Sequence, residues 1–112
     1  MAEELLREVA RRLALIRAEL GLSQDAMAEY LGIGRSRWLN WERAQHFPSP
    51  VIMKRLCEFT GLTFDYIFRG VHAGVQPALS VRLAIRERGG DPDAPEYQGV
   101  RARRARRAKP VS

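Results

Sequence analysis

Between Gln24 and Arg43 the chain reads Q-D-A-M-A-E-Y-L-G-I-G-R-S-R-W-L-N-W-E-R, and no other stretch limits its possible folds as much. Two short helical patterns flank Leu31-Gly32-Ile33-Gly34, a break that leaves room only for a tight turn between helices packed at a steep angle. Gly32 supplies the positive φ that such a change of direction needs. Met27 and Leu31 recur at i, i+4 in the first pattern, and Trp38 and Trp41 at i, i+3 in the second. Each helix thus has an apolar stripe to bury and a polar face elsewhere. The free face of the second carries Arg35, Ser36, Asn40 and Arg43. Forked donors such as Arg match guanine in the major groove and amides such as Asn match adenine, so this face is suited to reading DNA.

A chain of 112 residues holds one small domain and is too short for two good cores. Its charge is unevenly placed: ten Lys/Arg face nine Asp/Glu in residues 1–70, against nine and four in residues 71–112. Most of the net +6 therefore belongs to the C-terminal part, a balance that favours a polyanionic partner without selecting one. No apolar run approaches the roughly 18 residues a membrane span needs, and the start M-A-E-E-L-L-R is charged rather than signal-like. A single Cys57 excludes an internal disulfide, and the cytoplasm is the expected compartment, close to DNA.

Leu5, Val9, Leu13, Ile16 and Leu20 recur at steps of three and four, which predicts a first helix over residues 3–20 ended by Gly21. Ser23 is an N-cap for the second helix, with Gln24 and Asp25 in its first turn. The third runs from Arg35 to about Arg43. Pro48-Ser49-Pro50 reads as loop, N-cap and N1 proline of a fourth helix that stops at Gly61. Thr63 caps a short fifth from Phe64 to Arg69, closed by Gly70. Five helices with such short connections make a compact all-α domain over residues 1–70.

The run I-R-A-E-L-G-L-S-Q, the W-E-R that closes the third helix, and G-L-T-F-D-Y-I-F followed by R-G together resemble the lambdoid phage repressor and Cro-type helix-turn-helix family, over about Leu13 to Gly70. The resemblance implies a five-helix lambda-repressor-like domain that binds double-stranded DNA. It gives Gln24 a backbone phosphate to bond and the recognition helix to brace. Arg35, Ser36 and Asn40 match positions that face base edges, and Arg37 and Arg43 match flanking positions that meet phosphate. Arg17 and Glu42 match an ion pair tying the first helix to the third. The chain also departs from the pattern. Gly34 stands where a Ser or Thr N-cap is usual, Ala44 replaces the usual glycine so that the helix is expected to run on towards Gln45, and Trp38 replaces a smaller aliphatic residue. Leu39, one turn from Arg35, is expected to be exposed beside the reading face and to touch a thymine methyl. Gln45 and His46 are further candidates for phosphate, with a solvated loop as the plainer reading of His46.

Other features have bland readings. Trp38 and Trp41 are expected in the core, and Cys57, among Leu56 and Phe59, as a buried hydrophobe. His46 and His72 lack the company a metal site requires, and no catalytic constellation, cofactor motif or small-molecule site is evident. An enzyme is not expected.

After Gly70, Pro77 to Arg88 reads as an accessory helix that packs back on the fourth and fifth helices or joins two subunits. Gly89 to Pro95 is a linker by composition. The last stretch carries Arg101, Arg103, Arg104, Arg106, Arg107 and Lys109, a basic tail expected to be disordered when free and to add non-specific DNA contacts, unless it serves only solubility. One recognition helix reads few base pairs, so a homodimer on half-sites is expected, with the segment from Phe64 to Phe68 and the accessory helix as candidate contacts. The functional expectation is a transcription repressor. An antitoxin that binds a toxin through residues 71–112 is the alternative, and a binding adaptor that no longer reads DNA comes third.

Overall fold

The computed structural model describes residues 2–97, and within them it is helical throughout, with no strand. Its elements are α1 (Ala2–Leu20), α2 (Gln24–Leu31), α3 (Arg35–Glu42), α4 (Pro50–Thr60), α5 (Phe64–Arg69) and α6 (Pro77–Glu87). The Ser23 and Thr63 caps behave as their chemistry demands, whereas Ser49 precedes α4 without a side-chain cap bond. The Ser23 hydroxyl accepts from the Ala26 N–H at 3.1 Å and that of Thr63 from Tyr66 at 3.0 Å, each satisfying an amide the helix cannot. Between α2 and α3, Gly32 takes φ 73° and a Cβ there would lie 3.3 Å from the Arg55 guanidinium. That guanidinium donates to the Leu31 carbonyl and ties the end of α2 to α4.

One core joins these six helices. Leu13 and Ile16 of α1, Met27 and Leu31 of α2, Trp38 of α3, Met53 and Leu56 of α4, Ile67 of α5 and Leu83 of α6 are almost fully buried in one cluster. Burying each such side chain favours folding by about 1.5–3 kcal/mol. Packing of α1 against α3, α5 and α6 makes it the central strut.

Three expectations are corrected. The accessory helix α6 packs chiefly on α1 rather than on α4. The cause is electrostatic as well as apolar, because Glu19 of α1 accepts from both Arg82 and Arg86 of α6, the second at 2.9 Å. Residues 89–94 do not behave as an open linker: Pro92 is fully buried and Arg82 grips both carboxylate oxygens of Asp93 at 2.9 and 3.2 Å. Within the segment offered as a dimer contact, Tyr66 and Ile67 belong to the core, leaving Phe64 exposed and Phe68 half-buried with ring centroids 6.0 Å apart. The Tyr66 hydroxyl donates to Glu87 at 2.7 Å, and His72 approaches the same carboxylate at 3.1 Å. Burial and the bond to Glu87 push the Tyr66 phenol well above its usual range. Burial alone would raise Glu87, but the bonds from Tyr66 and His72 outweigh it and hold the carboxyl below its ordinary value.

The end of α3 also differs from expectation. The helix stops at Glu42 instead of continuing, because Ala44 takes φ 58° while its N–H bonds Trp41 O at 3.3 Å and that of Gln45 bonds Asn40 O at 2.9 Å. This is a Schellman turn with alanine in the left-handed position. An L-residue there costs about 1–2 kcal/mol, and glycine would give back part of that gain as chain entropy. Ala44→Gly should therefore stabilise the fold by about 0.5–1 kcal/mol, read as a rise in the thermal midpoint by calorimetry.

Candidate nucleic-acid interface

The ends of α3 do little to fix it. It has eight residues, its N-cap Gly34 offers no side-chain bond, and its C-terminal turn is strained. Its position comes from its inner face, where Trp38 and Trp41 are buried with their rings edge-on at 5.9 Å. Beside them the Glu42 carboxylate, its side chain 7 % exposed, receives Arg17 through Nε at 2.6 Å and Nη2 at 3.1 Å. The Trp38 indole N–H donates to the same carboxylate, and Gln24 approaches it at 3.5 Å. Arg17 spends its remaining amino group on the Leu22 carbonyl at 3.0 Å. Helices α1, α2 and α3 thus meet at one charged atom group, with no buried side-chain polar atom left unbonded among the described residues. Gln24, the first residue of α2, braces α3 from the side while its helix end stays at the surface.

With the inner face so committed, Ser36, Arg37, Arg43, Gln45 and His46 are exposed and Asn40 is half-buried. Arg35, the first residue of the helix, stands clear of the body and faces Asp25 of α2 in an ion pair. Leu39 is the exception among the base-facing candidates. It is only 6 % exposed, although it stands outside the core cluster that holds Trp38 and Trp41, so the exposed position expected for it is not the one observed. Arg37 lies with its guanidinium 5.4 Å from the Trp41 ring centre, a cation–π contact that holds the charge beside the helix. Arg37, Asn40, Trp41, His46, Phe47 and Ser49 line an open groove of about 260 Å³ along this edge of α3.

Two features of this surface were not foreseen from the sequence. The Asp25–Arg35 pair joins residues on different helices, and only the turn between them brings them together. Phe47, 43 % exposed, lies in the loop after α3 beside His46, where its apolar type gave no sign of a surface role. Cys57 packs against the core, and its thiol is pushed up first by burial and then by the charge of Glu58, which disfavours a nucleophilic thiolate. Among the described residues no three His, Cys, Asp or Glu side chains are grouped to hold a metal, and no helix is long and apolar enough to cross a membrane.

A family described as a helix-turn-helix domain matches residues 10–72, which hold α2, the turn and α3. The chain belongs to this helix-turn-helix family. A relative from Bacillus subtilis (strain 168), named an SPbeta prophage-derived uncharacterized HTH-type transcriptional regulator YonR, is 32 % identical over 62 residues, covering 55 % of this chain and 57 % of its own length. The chain thus spans little more than half of that relative. No solved structure matches it.

Because Glu42 is nearly buried, removing its main partner strands a charge. Arg17→Ala should cost about 3 kcal/mol, visible as a drop in the chemical-denaturation midpoint.

Proposed function

We propose that the protein is a sequence-specific, double-stranded DNA-binding transcription regulator that acts as a repressor. The observation that carries this is the division of α3: both indoles and Glu42 are locked inward, and Arg35, Ser36 and Asn40 are presented at the outer edge of a helix of the helix-turn-helix family. Arg35 supplies a donor fork for guanine, Asn40 a donor–acceptor amide for adenine, and Ser36 a small hydroxyl that accepts or donates. Gln24, Arg37, Arg43, Gln45 and His46 surround them and suit phosphate contacts, which set register without reading sequence. The name of the prophage relative agrees with this reading. Repression needs no chemistry beyond occupancy. Residues 71–94 are engaged in holding α6 to α1, which puts the repressor reading ahead of a toxin-binding use of that segment.

One eight-residue helix reads too few base pairs for a genomic address, so the protein acts as a homodimer on two half-sites about one helical turn apart. Exposed Phe64 with half-buried Phe68 is the apolar surface that suits pairing. The basic residues Arg101, Arg103, Arg104, Arg106, Arg107 and Lys109 lie outside the described residues. By their charge they would add sequence-independent affinity.

Selection of bound duplexes followed by footprinting should give a two-fold motif. On it, Arg35→Ala or Asn40→Ala should each cost about 1–3 kcal/mol and relax one base-pair position, whereas Arg43→Ala should weaken all sequences alike and lower the salt slope by about one. Truncation after residue 100 should lower matched and unmatched affinity by similar factors, and an unchanged salt slope would reject a role for the tail. Sedimentation at micromolar concentration should show a dimer at least on the selected duplex; a monomer both free and bound would defeat the dimer.

A further inference from the structure

Arg35 is not a free cation. Its Nε edge lies beside the Asp25 carboxylate across the turn as an ion pair without a directed hydrogen bond, and both side chains are open to solvent, 61 % and 73 % exposed. An exposed pair of this kind contributes little to stability, so packing does not account for it. Asp25 also stands next to Gln24, in the first turn of α2, where the proposed complex places a phosphate. A carboxylate in the first turn suits the helix dipole, but so near the backbone of DNA it has the wrong sign for affinity.

We propose that Asp25 is a positioning residue that restricts Arg35 to the base edge of a guanine; this rests on the DNA-reading function above. Guanidinium has five donors in a planar fork. With the Nε edge beside Asp25, the two terminal amino groups remain, and they match the paired O6 and N7 acceptors of guanine. Guanine is neutral, so Arg35 can bond it while still neutralising Asp25. A phosphate demands the opposite: if Arg35 swings away to it, Asp25 is left unpaired beside the anionic backbone. The carboxylate therefore penalises the non-specific mode more than the specific one, and Asp25 lowers affinity everywhere while sharpening discrimination at one base pair.

The test uses the full chain and its selected duplex, with the base pair read by Arg35 located first through Arg35→Ala. Asp25→Asn should raise affinity for an unrelated duplex and steepen its salt slope. Discrimination at the Arg35 base pair should fall about fivefold or more, the low end of what one base pair contributes. Asp25→Glu, which keeps the charge, should recover part of that discrimination. In a double-mutant cycle, Asp25 and Arg35 should couple on the selected duplex and not on the unrelated one. Thermal midpoints of all variants exclude unfolding as the cause. Undiminished discrimination in Asp25→Asn, with no coupling, overturns the role of Asp25 and leaves the regulator standing. Failure of the unaltered chain to prefer any duplex removes both.

Discussion

The Glu42 carboxylate is the point on which the placement of α3 depends. An isolated helix of this length does not hold its shape in water, and α3 has neither a side-chain N-cap nor a relaxed C-terminal turn to compensate. Arg17 and Trp38 close on that one buried anion from α1 and α3, with Gln24 approaching from α2. Taking the charge out of water is costly, so its value lies less in net stability than in orientation: a bidentate arginine and an indole N–H accept only a narrow range of carboxylate positions. The outer face of α3 is aimed because the inner face has so little choice.

A second carboxylate does comparable work on the far side of α1. Glu19, its side chain 10 % exposed, receives Arg82 and Arg86 and fixes α6, and Arg82 continues to Asp93. Apolar burial of Leu83 alone would favour contact without choosing a register. Two arginines one turn apart on a single carboxylate choose it. The sixth helix and the residues as far as Asp93 are thereby held to α1, and Leu83 joins the core cluster of the first five helices.

What the sequence disclosed depended on the range of the interaction. Caps act within four residues, so Ser23, Thr63 and Gly61 mark their helix ends in the bare sequence. Apolar spacing likewise foretells that Trp38 and Trp41 turn inward. The burial of Leu39 is not legible because it lies where the inner and outer faces of α3 meet, and helical spacing gives little guidance at that edge. The partner of α6 was hidden for another reason: an amphipathic stripe says that a helix packs, not on what. Gly89 to Pro95 has the composition of a linker, yet tight turns use the same residues, and only the three-dimensional approach of Arg82 to Asp93 distinguishes the two. The Arg17–Glu42 pair was legible through family resemblance, since nothing in the spacing of those residues requires it.

The distribution of paired charges bears on how such a surface would discriminate. Glu8, Glu19, Glu42, Glu58, Asp65 and Asp93 each face a Lys or Arg within the chain, so much of the basic charge of the body is neutralised internally. Arg37 and Arg43, beside the outer face of α3, are exposed and have no acidic partner among the described residues. Sequence-independent affinity grows with the number of phosphates neutralised, because each releases counterions. A body whose cations are committed in part in this way would gain less from that source and would draw more of its binding from fitted contacts, which are the ones that depend on sequence. The basic residues after position 100 would reverse that balance if they engaged DNA, raising affinity for every duplex alike. Because they lie away from α3 along the chain, such a contribution would be separable from that of α3 by truncation.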